Sequence, residues 1–300
     1  MAEKHMRKLV VAVMAVVAIV AAPARARAWG FEAHAFIMGR AIELLPAELR
    51  PFFEANRTFL VEHTIDPDLW RTAGFVEEPP RHFIDIDAYG QYPFAELPRE
   101  YDAALKRYGA ETLTKNGLLP WRAAEVAGRL RRAFEQVPKD PQDAPTDVKF
   151  FSTVLAHYIS DGHVPFHAVV NYDGQLTGQN GIHLRWEDEL FTRYHQKLAV
   201  RPAPIRSIPN MRDFMFDTVL AGFQLTASVL DADRTAIGAR DEYDDRYFET
   251  FFSASRPILE RRLGESVTAV ASAITSAWDQ AGRPVVPVTP PKRVERKRPR

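Results

Sequence analysis

The sequence predicts an all-α fold in a single multi-helix domain, on three observations. Apolar residues recur at helical spacing in several separate segments. The 22 prolines fall mostly between those segments, as they do when helices are distinct and joined by ordered loops. Clean two-residue hairpin signals between alternating runs are absent. A chain of 300 residues that is 46% hydrophobic has ample material for one large core.

Taken in order, the chain begins with Lys4, Arg7 and Lys8, then fourteen apolar residues from Leu9 to Ala22, then the small-x-small pattern Ala26-Arg27-Ala28. That is the pattern of a secretory signal peptide over residues 1–28, and the apolar run is short of the roughly 20 residues a membrane span needs. The mature chain is expected to begin at Trp29 and to be secreted or periplasmic. Phe36, Ile37, Ala41, Leu44 and Leu45 predict a first helix stopped by Pro46. Residues 66–120 are the least regular stretch, expected to be loop-rich with short helices, and loops on a rigid scaffold are where site residues gather. Ala123 to Val137 predicts a helix stopped by Pro138. Val148, Phe151, Val154, Leu155, Tyr158 and Ile159 predict a strongly apolar one, with Pro145 in its first turn. Helices are also expected over Trp186 to Leu198, Phe214 to Leu230 and Ile258 to Trp278. The domain is expected to span 29–286. Residues 287–300 form a basic, Pro-rich tail, expected to be disordered, with weak contact to an anionic surface as its alternative role.

The sequence has no cysteine, which removes thiolate as nucleophile or metal ligand. The net charge of zero conceals an acidic body: between the leader and the tail, 28 basic residues face 37 acidic ones. Such a body does not hold nucleic acid by general electrostatics, so affinity for phosphate has to be local.

The chemistry concentrates in residues 157–187. His157 and Asp161 are four apart, His167 follows Pro165, and His183 and Glu187 are again four apart. Residues four apart share a helix face, so each pair can aim two donor atoms at one point. Imidazole mixed with carboxylate suits zinc better than calcium or magnesium. His34 and His82 stand in similar contexts, whereas His5, His63, His163 and His195 do not. Asp66 and Asp68 are alternatives as a further carboxylate. Asp85 and Asp87 are candidate partners for the outer N–H groups of ligand histidines.

The ordered set Trp29, His34, Asp68, His82, His157, Asp161, His167, His183, Glu187 resembles the superfamily of zinc-dependent phospholipases C and single-strand-specific nucleases. The resemblance runs from Trp29 to about Phe191. It implies three zinc ions: one on Asp68, His82, His157 and Asp161; one on His167, His183 and Glu187; one on the Trp29 amine and carbonyl, His34 and the second oxygen of Asp161. In that implied set Asp68 is preferred to Asp66 for its D-x-x-R context and its position fourteen residues before His82, and it is also the candidate catalytic residue. Zinc lowers the pKa of bound water towards about 7, so the implied reaction is attack of a metal-bridging hydroxide on a phosphodiester.

Within that superfamily Glu187, the short His167-to-His183 loop and the run HAFIMGRAIELL resemble the phospholipases; Trp29-Gly30 and HFID after Arg81 resemble the nucleases. A phospholipase C-like phosphodiesterase is the leading expectation, with phospholipid head group or single-stranded nucleic acid as substrate and no protein partner. A nuclease would need aromatic platforms, for which Phe31, Trp70, Phe75, Tyr89 and Phe94 are candidates. A non-catalytic zinc-binding secreted protein is the remaining alternative; structural zinc sites are usually single and closed by four protein ligands.

Overall fold

The computed structural model describes residues 30–289. The expectations for Trp29, the leader and the tail from residue 290 lie outside them. Among the described residues there is no strand, and no helix is long and apolar enough to cross a membrane.

Helix α1 (Phe31–Leu44) ends two residues before Pro46, as its apolar spacing predicts. Its start, Gly30, is packed so closely that an added Cβ would sit 1.7 Å from Oδ1 of Asp188, the residue after Glu187. Two short helices, α2 (Arg50–Ala55) and α3 (Arg57–Glu62), lead to α4 (Asp66–Thr72). The stretch from 73 to 100 has only single 3-10 turns. Residues 66–120 are more helical than expected, because α5 (Tyr101–Asn116) occupies their second half. Gly109, at φ 78 and ψ 158, breaks α5 into two short pieces. Its apolar signal is weak because only Ala104 and Leu113 are buried along it.

Helices α6 (Leu119–Gln136) and α7 (Ala144–Gly162) pack side by side, each with a proline in its first turn, where the missing N–H costs nothing. From Ser152 to Gly162 every residue of α7 is buried, so this helix is the axis of the molecule. The α8 segment runs through Ile182–Leu184, a π-helical turn at Arg185–Glu189, and Leu190–Tyr194. It starts earlier than expected and ends earlier, because the chain tightens into a 3-10 turn at His195–Lys197.

Two long helices close the bundle. Helix α9 (Met211–Ile237) is capped by the Asn210 side chain, which accepts from Asp213 N at 3.1 Å. Helix α10 (Asp245–Gln280) is capped by Asp244 in the same way. It begins well before the expected Ile258. Pro257 sits inside it on an exposed face, and Ser253, whose carbonyl it orphans, is exposed too, so water can satisfy it. The extended 198–210 segment lies along α10. Its N–H groups at Ala199, Ala203, Arg206 and Ile208 donate to Glu260, Thr268, Ser272 and Ser276, polar residues that recur in helical register. The last buried residue described is Val286.

Candidate metal centre

Eight of the nine expected ligand positions are described, and the fold gathers all eight at one buried centre. They form three groups, His34–Asp68–His157, His82–His157–Asp161 and His167–His183–Glu187, each with donor atoms within 4.8 Å of one another and each able to hold a metal ion. Helix α7 brings His157 and Asp161, α1 brings His34, and α4 brings Asp68. The irregular loop after α4 brings His82, the turn after α7 brings His167, and α8 brings His183 and Glu187. Glu187 sits on the π-helical turn, a distortion common at functional sites.

Asp161 is the hub. Its Oδ2 lies 3.0 Å from His82 Nδ1 and 3.2 Å from His157 Nε2, while its Oδ1 faces His34 Nε2 at 3.5 Å. The two carboxylate oxygens therefore address different groups. His82 Nδ1 and His157 Nε2 are themselves 3.0 Å apart. In the third group, Glu187 Oε2 stands 3.1 Å from His183 Nε2 and 3.7 Å from His167 Nε2. Two ligands on one tetrahedral zinc lie roughly 3.3 Å apart, so these separations fit a shared cation.

Backbone carbonyls set the imidazoles. His157 Nδ1–H donates to Thr64 O at 2.9 Å and His167 Nδ1–H donates to His82 O at 2.6 Å, which leaves both Nε2 lone pairs facing the centre. His82 is turned the other way. Its Nδ1 faces the centre, and its Nε2 faces the buried Glu78 carboxylate at 3.6 Å. Glu78 also accepts from Tyr158 OH, and from Arg81 Nη1 at 2.7 Å. Burial alone would raise the Glu78 carboxyl, but His82, then Tyr158 and Arg81, hold it down at about 2.

Glu78 takes the part expected of Asp85 and Asp87. Asp87 Oδ1 accepts from Val170 N at 2.9 Å, and Asp85 is pushed up to about 7 by burial and by the Asp87 charge; neither makes a hydrogen bond or ion pair to one of the candidate ligand histidines. Glu78 precedes His82 by four residues, the spacing of the other His–carboxylate pairs, so a signal for it was present. Asp68 is buried against the centre, whereas Asp66 pairs with His63 at 2.9 Å, which separates the two alternatives. His163 is buried apart, with its Nδ1–H on Ile159 O at 2.7 Å. Of the candidate stacking aromatics, Tyr89 and Phe94 are packed in a small second core, Phe31 is half-buried and Trp70 is half-buried beside Phe150. Phe75 is exposed.

The centre is incomplete as a set of protein groups. Both nitrogens of His34 and of His183, Asp68 Oδ2, Asp161 Oδ1 and both oxygens of Glu187 are buried without a hydrogen-bond partner. Buried polar atoms are rarely left so, and a cation is what this donor set would satisfy. Burial and the Asp161 and Asp68 charges push the Glu187 carboxyl up. Burial drives His167 down to about 3 and His183 to about 4. Burial would also lower His82, but hydrogen bonds to Asp161 and Glu78 raise it to about 9.

No protein-family model matches the chain, and no curated protein matches it.

Proposed function

We propose that this chain is a metal-dependent phosphodiester hydrolase of the phospholipase C type. The observation that carries the reading is the joining of two ligand groups through His157 and the split carboxylate of Asp161, with the third group tied to them where His167 Nδ1–H donates to His82 O, and with donor atoms in all three buried and unsatisfied. A structural metal site has no need of three adjoining groups. Zinc held there would supply Lewis acidity and a water that loses its proton near neutral pH.

The chain's own groups favour an anionic substrate. Asp68, Asp161 and Glu187 bring three negative charges to groups for three divalent ions, so the loaded pocket is positive on an otherwise acidic body. Arg71 stands at the rim, a quarter exposed, with Nη2 2.9 Å from Asp68 Oδ1, and its charge reaches His183 and Glu187. A guanidinium so placed can orient a phosphate oxygen. Asp68, between Arg71 and the centre, would hold both the metal and that cation.

Support for a lipid comes from the surface near the ligands. Leu69, Phe75 and Val76 follow Asp68, and Val170, Tyr172 and Leu176 lie between His167 and His183; all six are exposed. A single-strand nuclease is the second reading. It is favoured by the exposed rings of Phe75 and Tyr172, the latter 6.4 Å from the His183 ring.

The test is a substrate comparison on protein beginning at Trp29 and loaded with zinc. Phosphatidylcholine micelles, denatured DNA and RNA are offered in parallel, with and without chelator. Chelator-sensitive phosphocholine release alone is expected. Nucleotide release alone replaces the first reading with the second. Silence on all three, and on an activated soluble phosphodiester, leaves a non-catalytic zinc protein and overturns both.

A further inference from the structure

Away from the metal-type groups, a cleft of about 430 Å³ opens between the 198–210 segment, α9 and α10, with His163 among its lining residues. None of the eight ligand candidates lines it. Its charge runs against that of the body. Arg201, Arg206, Arg261 and Arg262 line it, against Asp217 and Glu265. Asp217 is engaged by Arg99 at 2.6 Å, and Glu265 is shared by Arg261 and Arg262, each at 2.7 Å. The carboxylate that feels Arg201, Glu260, is already held by Arg256 and Ala199 N, each at 2.7 Å. Arg206 is placed over the Phe214 ring, 5.4 Å from its centroid.

We propose that this cleft is a second binding site, taking a small organic phosphate monoester. Guanidinium groups match phosphate oxygens two at a time, and a dianion suits an arginine pair that carboxylates do not neutralise. Phe214, Pro204 and Ala221 give the cleft an apolar wall for the organic part, and its volume lies in the range of small-molecule sites. His163 Nδ1 is committed to Ile159 O, which leaves Nε2 for a hydroxyl of the occupant. The back wall is Arg262, fully buried, which donates to His163 O at 2.7 Å and to Gly162 O at 3.2 Å. Those carbonyls lie between Asp161 and His167, so an occupant drawing on Arg262 or Glu265 would be felt at the turn that carries two ligand candidates. The inference does not depend on what reaction the centre performs.

The probes are inorganic phosphate and glycerol 3-phosphate, titrated calorimetrically into the zinc-loaded protein. Two binding events are expected, one at the centre and one in the cleft. The double variant Arg201→Ala, Arg206→Ala changes two exposed side chains. It is expected to weaken only the second event, by about tenfold or more, with zinc content unchanged. Glycerol 3-phosphate should bind the cleft more tightly than inorganic phosphate in the wild type, and this advantage should shrink in Phe214→Ala. Identical isotherms for wild type and double variant overturn the proposal, as does a single event that disappears in Asp161→Asn.

Discussion

Two buried polar networks sit in the same bundle and differ in one respect. Around Arg185, every charge is answered within the protein. Arg185 donates to Tyr247 OH and Asp233 Oδ1, each at 3.0 Å, and to Asn180 O at 2.7 Å; Tyr247 OH donates to Asp233, and Gln179 donates to Asp233 Oδ2 at 2.7 Å. Around Asp161, carboxylates and imidazoles are packed as tightly, yet many of their atoms have no partner. The first network is a finished cross-link between α8, α9 and α10. The second is stable only to the extent that something else completes it, since each unsatisfied buried group costs about 1–3 kcal/mol. Equal burial therefore goes with a completed set of partners in one place and with unpartnered donor atoms that could hold a metal ion in the other.

The comparison breaks most visibly at His157, which belongs to two ligand groups. His157→Ala is expected to reduce phosphodiester turnover to background while leaving the helical circular dichroism signal largely intact. Wild-type turnover in this variant would remove the centre from the mechanism. The complementary change is Asp233→Ala, which strands the buried Arg185 charge. It should cost about 3–5 kcal/mol in denaturant unfolding with zinc per folded chain unaltered. A loss of zinc instead would mean the two networks are not independent.

A smaller effect is expected at Glu78, which touches His82 on the side away from the centre. Glu78→Gln should weaken metal affinity by about 10–100-fold, read by competition with a chromogenic chelator, while Glu78→Asp retains part of it. Unchanged affinity would reduce Glu78 to a packing role.

The smallest effect is in pH dependence, and it belongs to the metal-free protein. His167 and His183, held by burial at about 3 and about 4, bind protons more weakly folded than unfolded. Stability should fall as pH drops below about 6.5 and through that range. His82 works in the opposite sense. Raised to about 9, it contributes fully below about 6.5 and its contribution fades as pH rises through 9. Zinc binding near pH 7 should then release a proton from His82, seen as a dependence of binding heat on buffer ionisation. No such dependence would contradict the charged state of His82.

The helical fold and most of the centre follow from local sequence, because helix spacing is a local property. His157 with Asp161 and His183 with Glu187 could be paired on paper, since four residues on a helix leave little choice of direction. The last helix was expected only from Ile258, but it begins at Asp245 and runs through Pro257, whose lost hydrogen bond falls on an exposed face. Other features depend on residues far apart in the chain, and only the folded molecule decides them. Helix α4 turns Asp68 inward and leaves Asp66 on His63, a difference that two aspartates two residues apart do not reveal in the sequence. His82 presents Nδ1 because Glu78 occupies its other side, and the α7 terminus is held by Arg262 from a helix that begins some eighty residues later. The sequence by itself determined which donor atoms were available and on which helix faces. Tertiary structure decided which atoms meet, because that depends on burial and on backbone carbonyls that no local pattern encodes.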